Sequence, residues 1–152
     1  MELRKLNVSL RMNNADLRKI KMIASRLYAR DSDVLRFAIK TALARLAPLH
    51  ELNAKGIELL PLFTEFGPEL TNYFELDTER LETIVNSGLS DAVRRVERGD
   101  LELLALAGQE EHYAMIKLRE LVRRPVNETH GVASMLREYL FDKYIAANPT
   151  RP

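Results

Sequence analysis

The chain has 152 residues, 46% of them hydrophobic and 30% charged, and it contains no cysteine. That balance belongs to an ordinary globular protein of one domain or two small ones, not to a disordered or fibrous chain. The missing thiol excludes disulfides, cysteine zinc sites and thiol nucleophiles. No apolar run approaches the length of a membrane span, and the charged start MELRKLN lacks the apolar core of a signal peptide, so the expectation is a cytoplasmic chain.

The formal net charge of +1 conceals an asymmetry. Residues 1–50 carry 11 Lys and Arg against 4 Asp and Glu, a net +7, whereas residues 51–152 carry 12 against 18, a net −6. Positive charge gathered in one third of a chain is the footprint of a polyanionic partner, usually nucleic acid, because neutralising phosphates releases condensed counterions. A solvated basic face without a partner is the plainer reading of the same charges.

In chain order, KLNVSLRMNN (5–14) comes first, where Leu6, Val8, Leu10 and Met12 alternate with Asn7, Ser9 and Arg11. This period of two predicts a strand with one buried face. Leu3, Leu6 and Leu10 also fit helical spacing, but Asn7, Val8 and Ser9 have poor helix propensity. Asn13 or Asn14 then caps a predicted helix with apolar positions Leu17, Ile20, Ile23, Ala24, Leu27 and Tyr28. ARDSD interrupts it. Ser32 is an N-cap candidate, with Asp33 in the first turn of a second helix that carries Val34, Leu35, Ala38, Ile39, Ala42, Leu43 and Leu46 up to Pro48. A strand and two helices in under fifty residues bury little surface, and the strand has no partner within the chain, so the pattern predicts a homodimer with an intermolecular two-stranded antiparallel ribbon.

This order of elements, with a basic outer strand face, resembles the ribbon-helix-helix DNA-binding family over residues 4–47. The resemblance implies a ribbon in the DNA major groove, with Asn7, Ser9 and Arg11 reading base edges. It also implies a phosphate held at the start of the second helix by the amides of Ser32, Asp33 and Val34, with Arg36 and Lys5 as further phosphate contacts. The chain departs from the family in the inter-helix turn, which offers Arg30 and Asp31 where a left-handed glycine is usual.

From His50 onward the reading is helical. Gly56 is a candidate helix C-cap and Pro68 a candidate first helical residue, after the periodic Leu59, Leu62, Phe63 and Phe66. LTNYFELD fits a strand or a helical turn, with helix preferred. TERLETIVN, SDAVRRVER, DLELLALAGQEEHYAMIKLRELVRR and VASMLREYLFDKYI read as helices capped near Thr78, Ser90 and Asp100. Phe63, Phe66, Tyr73, Phe74, Tyr139, Phe141 and Tyr144 are expected to be core or helix contacts. There is no phosphate loop or nucleophile elbow. His50, His112 and His130 lack the spacing of paired metal ligands, and Glu110, Glu111 and His112 read as a solvated helix face.

The expectation is thus a mainly α chain: a ribbon-helix-helix module over residues 1–48 and a helical domain over 49–152 for oligomerisation, effector or partner binding. The expected function is that of a non-enzymatic, sequence-specific transcriptional regulator, a repressor, without cofactor or metal. It would bind double-stranded DNA as a homodimer, or as a tetramer on adjacent half-sites. Two other classes fit: the antitoxin of a toxin-antitoxin pair, and a structural interaction protein that binds no DNA.

Overall fold

A computed structural model of the chain describes residues 4–122 and 131–146, which form two compact units, Met1–Arg45 and Leu46–Pro152. His130, and the last two residues of the predicted LVRR helix end, lie outside the described residues.

The first unit is a helix pair. α1 (Asn14–Arg26) starts at Asn13, whose side chain accepts the Asp16 amide at 2.8 Å, so the sequence-predicted cap forms. Its end is a Schellman turn: the Tyr28 amide bonds the Ser25 carbonyl and the Ala29 amide bonds the Ala24 carbonyl. The left-handed residue is Tyr28, at φ 54, not Arg30 or Asp31. α2 (Asp31–Arg45) begins one residue before the expected cap, which places Ser32 inside the helix. Beyond this pair, in the second unit, Ala47–His50 forms a short α3 with Pro48 in its first turn, so Pro48 opens a helix instead of closing one.

A left-handed conformation costs a non-glycine residue about 1–2 kcal/mol. Tyr28 is fully exposed, and its ring contributes no packing in exchange. Tyr28→Gly is expected to raise stability by about 0.5–1 kcal/mol once the extra entropy of an unfolded glycine is subtracted. Urea denaturation followed by circular dichroism measures this, and a lower midpoint in the variant would contradict the turn.

Residues 4–13 correct the sequence expectation. Among the described residues there is no β-strand, and this segment runs into α1 without a ladder. The predicted strand needed one buried face, yet Leu6, Val8 and Leu10 are 77%, 83% and 67% exposed. An extended segment becomes a strand through backbone bonds to a neighbour, and no described segment of the chain supplies one. The ribbon, and with it the resemblance to the ribbon-helix-helix family, is overturned. What stands is a mainly helical chain with two helices after a basic arm that has no regular secondary structure.

The second unit is a helical bundle of α4 (Leu60–Tyr73), α5 (Thr78–Asn86), α6 (Arg98–Gln109), α7 (Glu111–Leu121) and α8 (Val132–Leu140), with α8 running into a π-helical turn at Phe141–Ala146. Its core joins Leu60 and Phe63 of α4, Leu81 and Val85 of α5, Leu101 and Leu104 of α6, Leu118 of α7 and Leu136 and Leu140 of α8. Gly56, at φ 61, starts a 3-10 turn and caps no helix; a Cβ there would fall 2.0 Å from the Arg94 carbonyl oxygen, which is why glycine fits. Pro68 lies within α4, where packing against α6 outweighs the lost amide. LTNYFELD is helical only to Tyr73. SDAVRRVER forms a 3-10 turn at Ala92–Arg94, not a helix. The long DLELL…LRE helix breaks at Glu110, between α6 and α7. The caps fall at Asp77, Asp91 and Glu97, each one to three residues from its expected place. Asn86 ties α5 to the next connection: its side chain donates to the Val96 carbonyl at 2.8 Å and accepts the Val96 amide at 3.0 Å. Of the aromatic residues, Phe63 is core, whereas Tyr73 and Phe74 are exposed and stack edge-on at 5.0 Å.

Candidate nucleic-acid interface

All 11 Lys and Arg of the first unit are exposed. Asn7, Ser9, Arg11 and Lys5 lie on the arm, exposed to solvent. On α1, Arg18, Lys21 and Arg26 fall away from the line of Ile20 and Ala24, which are the less exposed positions of that helix. The charge asymmetry of the sequence therefore follows the division of the fold: the net +7 belongs to Met1–Arg45 and the net −6 to the rest.

Ser32, Asp33, Val34 and Arg36 come together in the first turns of α2. Asp33 is the centre of this group. Its carboxylate accepts Arg30 Nε at 3.0 Å, Arg30 Nη2 at 3.1 Å and Arg36 Nη1 at 3.3 Å. The Arg30 side-chain bond, ahead of the smaller contributions of the Arg30 and Arg36 charges, holds the Asp33 carboxyl below its ordinary range. A phosphate approaching these amides meets Asp31 and Asp33, two charges of its own sign, in the place where the helix dipole favours an anion. The arm offers cations without that opposition, and on α1 the one carboxylate, Asp16, lies 3.9 Å from Lys19 and leaves Arg18, Lys21 and Arg26 to the solvent.

The second unit holds a cluster that sequence reasoning passed over. Asp100, 3% exposed, lies in the first turn of α6. Its carboxylate accepts Tyr139 Oη at 2.8 Å and Lys143 Nζ at 2.8 Å, and it accepts the Tyr144 hydroxyl as well. Tyr144 Oη in turn accepts the Glu97 amide at 3.0 Å, and Lys143 also reaches the Glu97 carboxylate at 2.9 Å. Burial works against the Lys143 ammonium, but the bonds to Asp100 and Glu97 outweigh it and raise its pKa above the usual lysine value. Burial first, then Asp100, also raises the Tyr144 and Tyr139 hydroxyls. Groups held so far from neutrality are poor proton donors and acceptors at pH 7, so the cluster clamps the chain's π-helical turn to α6 and does not resemble an acid-base site. Asp100 was legible as a residue near a helix start; its partners, 39 to 44 residues downstream, were not.

Glu111 and His112 are exposed at the start of α7, with the His112 and Tyr113 rings 6.0 Å apart edge-on. Among the described residues no three His, Asp or Glu side chains gather as a metal would require, and no helix is long and apolar enough to cross a membrane. Comparison of the chain with protein-family models, curated proteins and solved structures returns no match.

Proposed function

We propose that the chain is a transcriptional regulator that binds double-stranded DNA through its first unit, using the basic arm and α1. The observation that carries this reading is the coincidence of charge with fold: a small exposed unit of net +7 joined to a larger unit of net −6. A polyanion gains most from such a unit because each neutralised phosphate releases a counterion. An exposed arm of ten residues outside any helix, carrying Lys5 and Arg11, suits a segment that follows a groove.

The acidic unit offers the portion that DNA repels, suited to an effector, a protein contact or assembly on adjacent sites. Its well-formed core, from Leu60 to Leu140, argues against the antitoxin reading, because such tails are short and unfolded when free.

The test is selection of bound sequences from a random duplex pool by the full chain, followed by a salt series on the selected and scrambled sites. One enriched site is expected. Lys21→Ala should weaken both duplexes alike and reduce the salt slope by about 0.9 for each phosphate no longer neutralised. Arg11→Ala should weaken the selected site more than the scrambled one, by about 1–3 kcal/mol, the worth of a bidentate guanine contact. Absence of binding to every duplex at low salt would replace this reading with that of a structural interaction protein.

A further inference from the structure

The turn between α1 and α2 holds a tyrosine against the preference of its backbone. Tyr28 is left-handed, at φ 54, because its amide bonds the Ser25 carbonyl and the Ala29 amide bonds the Ala24 carbonyl. Side chains strained in this way gather where a protein touches its ligands. The fold obtains nothing from the ring, since Tyr28 is 100% exposed. To a ligand, however, a tyrosine offers a large, rigid, flat surface with only two side-chain angles to fix. Arg26 and Arg30, two residues to either side, are exposed as well. Arg30 is braced on the Asp33 carboxylate through Nε at 3.0 Å and Nη2 at 3.1 Å, yet its side chain remains 78% exposed. Asp33 is thereby engaged by Arg30 and Arg36, and Asp31 is the carboxylate that opposes an anion at this turn.

We infer that the first unit also binds single-stranded nucleic acid at this turn, with the Tyr28 ring stacked on an unpaired base and Arg26 and Arg30 against the flanking phosphates. Every base has a π-face, so an exposed tyrosine stacks without regard to sequence while neighbouring cations hold the backbone. A duplex does not offer this contact, because its bases are stacked on one another and show only their edges in the grooves. A polyanion without bases offers charge but nothing for the ring to cover. The activity is therefore separate from duplex binding by the arm and α1, and shares with it only the positive charge of the unit.

The full chain is titrated, by fluorescence anisotropy over a salt series, against labelled oligothymidylate and oligouridylate of about 16 nucleotides, the upper end of a single-strand site. A duplex, and heparin as a polyanion without bases, are the comparisons. The wild type should bind a single strand, and the tighter of the two names the sugar preferred. Tyr28→Gly should weaken that binding by about 5–150-fold, the worth of one stacked base, with the salt slope unchanged and with duplex and heparin binding as before. Its denaturation midpoint should rise, because glycine suits the left-handed turn, so the loss of affinity is not a loss of fold. Tyr28→Asn, which tolerates the same backbone without a ring, should behave like the glycine variant, and Tyr28→Phe should bind like the wild type. Arg26→Ala should instead lower the slope by about 0.7, the value of one phosphate on a single strand. A wild type that binds no single strand at low salt overturns the inference, as does a Tyr28→Gly chain that binds as tightly as the wild type. So does an equal loss on heparin and duplex, since the turn would then serve charge alone. Failure on the duplex by itself would end the regulator reading and leave this one standing.

Discussion

Asp100→Ala is expected to lower the stability of the Leu46–Pro152 unit by about 3–5 kcal/mol, the cost of breaking a buried ion pair on one side. The carboxylate is nearly closed to solvent and holds three donors, Tyr139, Tyr144 and Lys143, from the α8 end of the unit. Without it the Tyr139 and Tyr144 hydroxyls lose their acceptor, Lys143 keeps only the Glu97 carboxylate as an anionic partner, and the Phe141–Ala146 turn loses its tie to α6. Lys143→Met should cost less, about 1–3 kcal/mol, because Asp100 keeps both phenol donors and the methionine stem still packs. The pH dependence follows from the raised pKa values. Groups that hold their protons more tightly when folded add stability that is complete below the ordinary lysine and tyrosine values of 10.5 and 10.0 and is lost as pH rises through the folded ones. The wild type should therefore lose the clamp on the alkaline side, and Asp100→Ala should lack that component of the alkaline decline. Guanidinium denaturation of both variants across pH decides the matter; an unchanged Asp100→Ala midpoint, or a larger loss from Lys143→Met, would rule out the clamp.

What could be read from the sequence divides by the range of the interaction. Asn13 capping α1, the two helices after the arm, and the helical character of the second unit all rest on residues within four positions of one another, and there the spacing was sufficient. The arm failed for the opposite reason. Alternation of Leu6, Val8 and Leu10 states a preference for extended backbone, but a ladder depends on a neighbour that the pattern cannot name. The inter-helix turn failed locally: its left-handed residue is Tyr28, a poor candidate by propensity, because the Schellman bonds fix the position three residues before α2 begins. The Asp100 cluster was out of reach, since a lone aspartate between helices reads as a cap until α8 brings Tyr139, and the turn after it Lys143 and Tyr144, to the carboxylate. Charge needed no geometry at all, and it marks the first unit as the candidate interface from composition alone.

Gly108→Ala is expected to destabilise the second unit by about 2–4 kcal/mol, although the same change in an open helix is stabilising. α4 and α6 share the most extensive contact of any helix pair among the described residues, and Gly108 lies at their approach. A Cβ there would stand 2.0 Å from Thr71 Oγ1 and 2.9 Å from both the Asn72 amide nitrogen and the Pro68 carbonyl oxygen. Thr71 is itself buried and donates toward the Leu104 carbonyl at 3.2 Å and the Pro68 carbonyl at 3.1 Å. A methyl group would have to push the α4 and α6 backbones apart and disturb that bond, combining an overpacking cost of about 1–3 kcal/mol with the loss of a buried hydrogen bond of about 1–3 kcal/mol. Alanine's better helix propensity returns at most about 1 kcal/mol. Two other glycines calibrate the result. Gly67 meets the flexible Leu104 Cδ2 at 2.6 Å and nothing else nearer than 4.0 Å, so Gly67→Ala should cost less. Gly99, on the same helix as Gly108, has nothing within 4 Å, so Gly99→Ala should be neutral or stabilising. Denaturation midpoints for the three variants are expected in the order Gly99→Ala, Gly67→Ala, Gly108→Ala from highest to lowest. If Gly108→Ala matched Gly99→Ala, the helices would stand further apart than their backbones do here, and Thr71 could not bridge from α4 to the carbonyl of Leu104.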